Sequence, residues 1–360
     1  MKCFYHSSDL DGHCSGAIVK YRYPECEMFP INYGDGFPWD EIQCGDEIFM
    51  VDFCLQPHEE MKRFNCDIPP LTLLHYIDHH ADAVLAMRDM LNPNNFTFLG
   101  KTCLGEKAAC ELTWEYLFPD KPIPLAVKLL SLYDSWTYQG HELEPMVLPF
   151  QMRMRMEDLD PKNWSGETKK IWEFLLYYPT ESCDEFIDQL VIEGNLLLRY
   201  DEEQKRRYVH TFGFEIELIE WEHNSEWYGP GLYGDVNLPK KKATYKAIAV
   251  NLGHTNSKVF DSVWRQECKE CVGKGEIIDY PVPDAHIPGQ LISCPYCKGT
   301  GYIEPYDLMI TFCRSKNKIW YVGLYSTKKE IDCGAIAKSF GGGGHKGAAG
   351  FQCKNLPFEY

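Results

Sequence analysis

The 360-residue sequence has no window of roughly twenty apolar residues and no opening basic segment followed by an apolar run, so neither a membrane helix nor a secretory leader is expected. It lacks a basic surplus as well: 36 Lys and Arg face 53 Asp and Glu, a formal charge of -17. Coating long nucleic acid depends on Lys and Arg neutralising phosphates, and this balance argues against it. No tandem repeat of domain size is found. Cysteine is plentiful, at 16, yet the chain is far larger than a disulfide scaffold and four of the cysteines fall in metal-type pairs. Reduced thiols and a cytoplasmic location are therefore expected.

What is present is enough apolar sequence, 44% with 14% aromatic, to bury the cores of two or three domains. Charge is unevenly spread. Residues 1–239 hold 19 Lys and Arg against 42 Asp and Glu, whereas residues 240–360 hold 17 against 11. An acidic part suited to hard cations is joined to a basic part suited to phosphates.

Short apolar runs at 2–6, 27–32, 47–53 and 71–78, separated by Gly, Pro and acidic loops, read as strands of a largely buried sheet. Helical patterns follow at 105–117 and 124–132. A longer one at 183–208 is assigned one apolar side carrying Phe186, Leu190, Ile192 and Leu196 to Leu198. Residues 221–244, rich in Gly, Pro, Asn and Lys, read as a surface loop. Strands return at 245–251, 307–312 and 318–325, then a short helix at 333–340. The expected organisation is an α/β, doubly wound, mainly parallel sheet domain at 1–182 and a connecting helix at 183–210. A smaller α/β domain follows at 211–360, with an insert at about 262–305.

Three of the first four runs end in His or Asp: His6 followed by Asp9 and Asp11, then Asp52, then Asp78-His79-His80. In open α/β sheets ligands bind at the carboxyl ends of strands, where these residues fall. With Asp134 after the second helical pattern, they can enclose two divalent ions. His6, Asp9, Asp11, Asp52, His79 and Asp134 are the expected ligands, with Asp52 bridging. Carboxylate and imidazole without thiolate suit Mn2+, with Mg2+ as an alternative. Such a site hydrolyses phosphate esters, and Asp11, Asp52 and His80 are its candidate catalytic residues. His80 faces either the substrate phosphate or the attacking water; the alternative is a hydrogen-bonded structural histidine. Asp9 and Asp11 taken alone would be an ordinary acidic turn with a helix cap.

At 341–350 the sequence reads Gly-Gly-Gly-Gly-His-Lys-Gly-Ala-Ala-Gly. Glycines let backbone N–H groups approach a phosphate, while His345 and Lys346 supply donors and charge. The order is not that of a G-x-x-x-x-G-K-[ST] loop, and a flexible glycine loop is the alternative. Cys268-x-x-Cys271-x-Gly-x-Gly and Cys294-x-x-Cys297-x-Gly-x-Gly are the spacing of one tetrahedral four-thiolate zinc, structural in kind. Whether the insert also contacts nucleic acid, covers a cleft or binds a partner is left open by its residues.

With these motifs the chain resembles the DHH phosphoesterase superfamily with its DHH-associated C-terminal domain. The matching stretches are 6–16, 51–53, 78–80, 105–117, 133–136 and 341–350. The resemblance implies a catalytic domain, a smaller substrate-binding domain with a cleft between them, and Mn2+ activity on phosphodiester ends. An arginine usual in the strand before the glycine motif is replaced here, where the sequence runs Gly323-Leu324-Tyr325-Ser326-Thr327-Lys328. Its phosphate contact is therefore either lost or moved to Lys328, Lys346 or Arg314, beside Gly342, Gly343, Gly344 and His345. The cysteine insert resembles the zinc-binding repeats of DnaJ-type chaperones. Hydrolysis of short single-stranded RNA or DNA to nucleoside monophosphates, in the manner of an exonuclease or oligoribonuclease, is the first expectation. A phosphodiesterase or phosphatase of small nucleotides is the second, covering cyclic dinucleotides, their linear products and 3'-phosphoadenosine phosphate. A non-catalytic nucleic-acid-binding module is the third.

Overall fold

Parallel strands buried on both faces are written as continuous apolar runs, and the four runs near the start of the chain form such strands in a computed structural model. The structure describes residues 1–66, 72–90, 99–177, 181–221, 241–253, 257–279 and 290–360. It falls into two units, Met1–Arg199 and Tyr200–Tyr360. In the first, β1 (Lys2–His6), β2 (Glu27–Ile31), β3 (Glu47–Val51), β4 (Leu73–Asp78) and β5 (Leu99–Thr102) form an all-parallel sheet. Its order is β2-β1-β3-β4-β5. The chain lays β2 on one side of β1 and the remaining strands on the other, so the winding reverses between β1 and β3.

Helices cover both faces. The first unit holds α1 (Leu10–Arg22), α2 (Arg63–Cys66), α3 (Ala81–Met90), α4 (Ala109–Leu117), α5 (Leu125–Asp134), α6 (Glu144–Met154) and α7 (Gly166–Leu175). Alternate strand residues part between two cores. Cys3, Tyr5, Phe49, Val51 and Ile77 pack with Val19 of α1 and Leu112 of α4, while Phe4, Met50, Leu74 and Tyr76 pack with Ala83 and Met87 of α3. The architecture is the expected doubly wound α/β sheet.

Helix α8 (Glu181–Phe212) runs from the first unit into the second. Its buried side carries Cys183, Ile187 and Leu190. Gly194 lies on that side, and a Cβ there would fall 1.9 Å from the Pro149 carbonyl oxygen. Ile192 and Leu196 are 58% and 62% exposed, which corrects their assignment to the side of Phe186 and Leu190. Two residues advance a helix by about 200°, so Ile192 cannot share a face with Leu190.

In the second unit, β6 (Phe214–Trp221) and β7 (Lys241–Asn251) precede an insert with four short strands. These are β8 (Gln266–Glu267), β9 (Glu276–Asp279), β10 (Gln290–Ser293) and β11 (Tyr302–Ile303). The main sheet continues with β12 (Leu308–Arg314), β13 (Trp320–Tyr325), β14 (Gly343–Gly344) and β15 (Ala348–Cys353). Its order is β14-β15-β13-β12-β7-β6, and β7 and β12 are parallel while the other pairs are antiparallel. Helix α9 (Cys333–Ser339) closes one face over Leu218, Ile310, Val322 and Leu324. Trp221 ends β6 and Lys241 to Thr244 belong to β7, so the expected surface loop is shorter than 221–244; its residues 222–240 lie outside the described ones. Among the described residues no helix is long and apolar enough to cross a membrane.

Candidate metal centre

The carboxyl edge of the parallel sheet gathers the charged strand-end residues around the reversal between β1 and β3, where such sheets bind ligands. His6 is the last residue of β1. Asp9 caps α1 by accepting the Gly12 N–H at 2.9 Å, and Asp11 sits in the first turn. That tight entry requires glycine: a Cβ on Gly12 would fall 2.0 Å from the His6 carbonyl oxygen. Asp52 directly follows β3 in the left-handed region, with φ 56°, and its N–H donates to the Ile77 carbonyl at 2.9 Å. A non-glycine residue held there costs about 1–3 kcal/mol, a strain that clusters at functional sites. His79 and His80 follow β4, and Asp134 is the last residue of α5.

All six expected ligands converge. His79 Nε2 lies 3.6 Å from Asp11 Oδ2, 3.5 Å from Asp52 Oδ1 and 3.1 Å from Asp134 Oδ2. His6 Nδ1 lies 2.9 Å from Asp9 Oδ2 and 3.6 Å from Asp52 Oδ2. The ligand atoms of His6, Asp9 and Asp52, and those of Asp11, His79 and Asp134, each fit within 4.8 Å of one another; so do those of Asp52, His79 and His80. Asp52 thus stands between two clusters.

The donors are poorly satisfied without a cation. His6 Nδ1, Asp52 Oδ1 and His79 Nε2 are buried, and their contacts with one another and with the neighbouring carboxylates lack good hydrogen-bond geometry. A buried polar atom left so costs about 1–3 kcal/mol and calls for an explanation. Burial, then the nearby Asp52 and Asp134 charges, push the Asp11 carboxyl well above the usual range. For His6 and His79 burial favours the neutral ring, but close contact with the facing carboxylates, Asp52 and Asp9 for the first and Asp134 and Asp52 for the second, outweighs it and holds them up to about 10 and about 11. Ligands of this kind exchange protons for metal, so a cation placed among them would relieve the same crowding of carboxylates. The donor set can hold divalent ions, and its carboxylate and imidazole chemistry fits Mn2+ or Mg2+.

Several contributors were not foreseen. Both Asp11 oxygens accept backbone N–H groups at the start of α4, from Ala109 at 2.9 Å and Cys110 at 2.8 Å. Asn32 Oδ1 lies 3.3 Å from His6 Nε2, just past β2, where the same strand-end rule could have found it. Asp78 belongs to no ligand cluster. Fully buried, it accepts the Tyr76 hydroxyl at 2.6 Å and the His79 N–H at 2.7 Å, and its Oδ1 lies 2.8 Å from His80 Nδ1. Burial would raise Asp78, but the His80 contact outweighs it and holds the carboxyl below its usual range. Nε2 of His80 lies outside that bond, and the side chain is 37% exposed.

The four cysteines form a second, closed cluster in the other unit. Cys268 Sγ lies 3.8 Å from Cys294 Sγ, and Cys271 Sγ 3.6 Å from Cys297 Sγ. A tetrahedron with Zn–S bonds of about 2.3 Å has edges of about 3.8 Å. The knuckles cross-brace each other: the Cys268 N–H donates to the Gly301 carbonyl and the Cys294 N–H to the Gly275 carbonyl, at 2.8 and 2.7 Å. Gly275 and Gly301 donate their own N–H groups to Cys271 and Cys297 sulfurs, at 3.3 and 3.2 Å. The cluster can hold zinc.

The glycine run forms a hairpin. Gly343 and Gly344 pair with Gly350 and Ala349, the Gly342 N–H is taken by the Ala337 carbonyl, and the His345 N–H by the Ala348 carbonyl. Several amides expected to cradle a phosphate are therefore committed to the fold. Gly342 lines a pocket of about 580 Å3 with Gly341, Gly350, Thr311, Tyr321 and Tyr325. His345 and Lys346 are exposed at the hairpin tip. Lys328 is engaged by Asp307 at 2.9 Å, and the Arg314 guanidinium lies over the Trp320 ring; neither lines the pocket.

No protein-family model matches the chain. An uncharacterized protein of Acanthamoeba polyphaga mimivirus is 24% identical over 346 residues, which cover 95% of this chain and 61% of the relative; the chain thus spans under two thirds of that protein. Similar solved structures include a pGpG-specific phosphodiesterase from Vibrio cholerae, 10% identical with TM-score 0.39 over 98% of this chain and 92% of that one. RecJ from Thermus thermophilus, in complex with Mn2+, is 12% identical with TM-score 0.39 over 97% of this chain and 49% of that one. An exopolyphosphatase-related protein from Bacteroides fragilis is 14% identical with TM-score 0.34 over 99% and 87%.

Proposed function

We propose that this chain is a metal-dependent phosphodiesterase that hydrolyses short single-stranded oligonucleotides to nucleoside monophosphates. The observation that carries the reading is the convergence of two buried imidazole nitrogens, His6 Nδ1 and His79 Nε2, with the carboxylates of Asp9, Asp11, Asp52 and Asp134 at strand and helix ends, in contacts that lack good hydrogen-bond geometry. In this reading His6, Asp9 and Asp52 would hold one ion, and Asp11, His79 and Asp134 would hold the other. Divalent ions bound there supply Lewis acidity toward phosphate oxygens and acidify water enough for attack near neutral pH.

The chain's own residues prepare the site. The α4 amides fix Asp11, and the bond between Asp52 and Ile77 fixes the bridging carboxylate at the end of β3. His80, oriented through Nδ1, presents its other nitrogen toward a phosphate oxygen. In the second unit the exposed His345 and Lys346 supply charge for the substrate. Lys328 and Arg314, by contrast, are engaged by Asp307 and by the Trp320 ring.

A second reading, turnover of cyclic dinucleotides, their linear products or 3'-phosphoadenosine phosphate, is favoured by the 580 Å3 pocket, within the usual range of small-ligand sites. The test incubates the Mn2+-loaded protein with labelled dinucleotides, 7-mers, 24-mers, cyclic dinucleotides and 3'-phosphoadenosine phosphate. Release of monophosphates from linear oligomers is expected. Turnover confined to a small nucleotide replaces the first reading with the second, and oligomer binding without turnover overturns both.

A further inference from the structure

We infer that Tyr76 is a positioning residue of the acidic centre: its hydroxyl fixes the Asp78 carboxylate and through it the His80 ring. The role in turnover rests on the proposed function; the geometry does not.

Tyr76 lies on β4 with no exposed surface, packed in the core that holds Phe4, Met50 and Leu74. Packing there asks only for an aromatic ring, and phenylalanine would supply it without a buried hydroxyl that must find a partner. The hydroxyl donates to Asp78 Oδ2 at 2.6 Å. Asp78 Oδ1 accepts the N–H groups of His79 and His80, at 2.7 and 3.2 Å, and lies 2.8 Å from His80 Nδ1. One carboxylate oxygen is thus held by Tyr76 while the other orders the two histidines. Without the hydroxyl, one end of the carboxylate loses its anchor and the His80 ring loses its fixed support.

The arrangement also spans two strand ends. Cys54, two residues past Asp52, packs in the same core as Tyr76. Ile77, next to Tyr76, accepts the Asp52 N–H. The loop that carries Asp52 is therefore tied to β4 by that backbone bond and by the packing of Cys54 against the core of Tyr76, whose hydroxyl leads through Asp78 to His80. Carboxylate–histidine pairs of this kind fix ring orientation and tautomer, and losing such a partner typically costs 10–100-fold.

Tyr76→Phe keeps the ring and removes the hydroxyl. In the Mn2+-loaded full chain acting on a labelled dinucleotide, kcat should fall about 10- to 100-fold with KM and bound Mn2+ unchanged. The same substitution in a His80→Ala background should cause no further loss, because it acts through His80. Equal losses in both backgrounds mean a merely structural role and overturn the inference, as does full activity of Tyr76→Phe alone. Long-range 1H–15N spectra of the Mg2+-loaded protein, with the His80 ring signals identified by their loss in His80→Gln, read the positioning without turnover. A single Nδ1–H tautomer that becomes a mixture in Tyr76→Phe is expected, and an unchanged tautomer overturns the inference. If the unaltered chain hydrolyses no phosphodiester, the proposed function falls and the spectra alone decide on Tyr76.

Discussion

The acidic centre draws its donors from β1, α1, the end of β3, the end of β4 and α5, residues far apart in the chain, whereas the four cysteines all lie between Cys268 and Cys297. The first leaves buried donors unsatisfied, strains Asp52 and exposes His80; the second is buried, braced by reciprocal backbone bonds and supplied with N–H donors to sulfur. Satisfied thiolates in a closed shell leave no position for a substrate. Crowded carboxylates beside a partly exposed histidine store the electrostatic tension that a cation relieves, and they leave room for a reacting group. Donor type separates the two sites less sharply than what remains unsatisfied around each.

Substitutions can break this contrast. Asp52→Ala should lower kcat by on the order of 10^3-fold or more while leaving circular dichroism unchanged; activity near that of the unaltered chain removes Asp52 from the centre. Cys294→Ala should abolish the single zinc equivalent and with it roughly 10 kcal/mol of insert-folding free energy, yet leave Mn2+ binding intact. Zinc content by atomic emission and Mn2+ titration check this, and joint loss of both metals would show the sites to be dependent.

Matched glycine substitutions sharpen it. Gly12→Ala drives a methyl group onto the His6 carbonyl, and Gly275→Ala, at φ 77°, drives one to within 2.3 Å of the Gly299 carbonyl. Each should cost about 1–3 kcal/mol of stability. The first should weaken Mn2+ affinity only and the second zinc affinity only; the opposite pattern refutes the assignment. The smallest effect is expected of His345→Ala, a rise in KM of about threefold to tenfold with kcat unchanged. An unchanged KM excludes His345 from substrate capture.

Much of the acidic centre was legible because its donors, apart from Asp134 at the end of α5, follow apolar runs, and runs of that kind are how doubly buried parallel strands appear in sequence. The strand β5, Leu-Gly-Lys-Thr, escaped because it is short and mostly exposed, so no burial pattern marks it. The strand β6, Phe-Glu-Ile-Glu-Leu-Ile-Glu-Trp, has near-regular alternation that could have been read. The commitment of Lys328 to Asp307 was invisible, since 21 residues separate partners that meet only when β12 and β13 pair. Tyr76 was hidden for another reason: in a core strand, a tyrosine chosen for its hydroxyl looks the same as one chosen for its ring.

The antiparallel pairing of β8 with β11, Glu267 opposite Tyr302 and Gln266 opposite Ile303, has an engineering consequence. Neighbouring strands lie about 5 Å apart, so the segment enters and leaves the crossover from β7 to β12 at nearly one point. A two-residue Asn-Gly turn can bridge that point. The whole thiolate module is thereby an excisable appendage, removable or exchangeable for another domain without lengthening the path between the two parallel strands it interrupts.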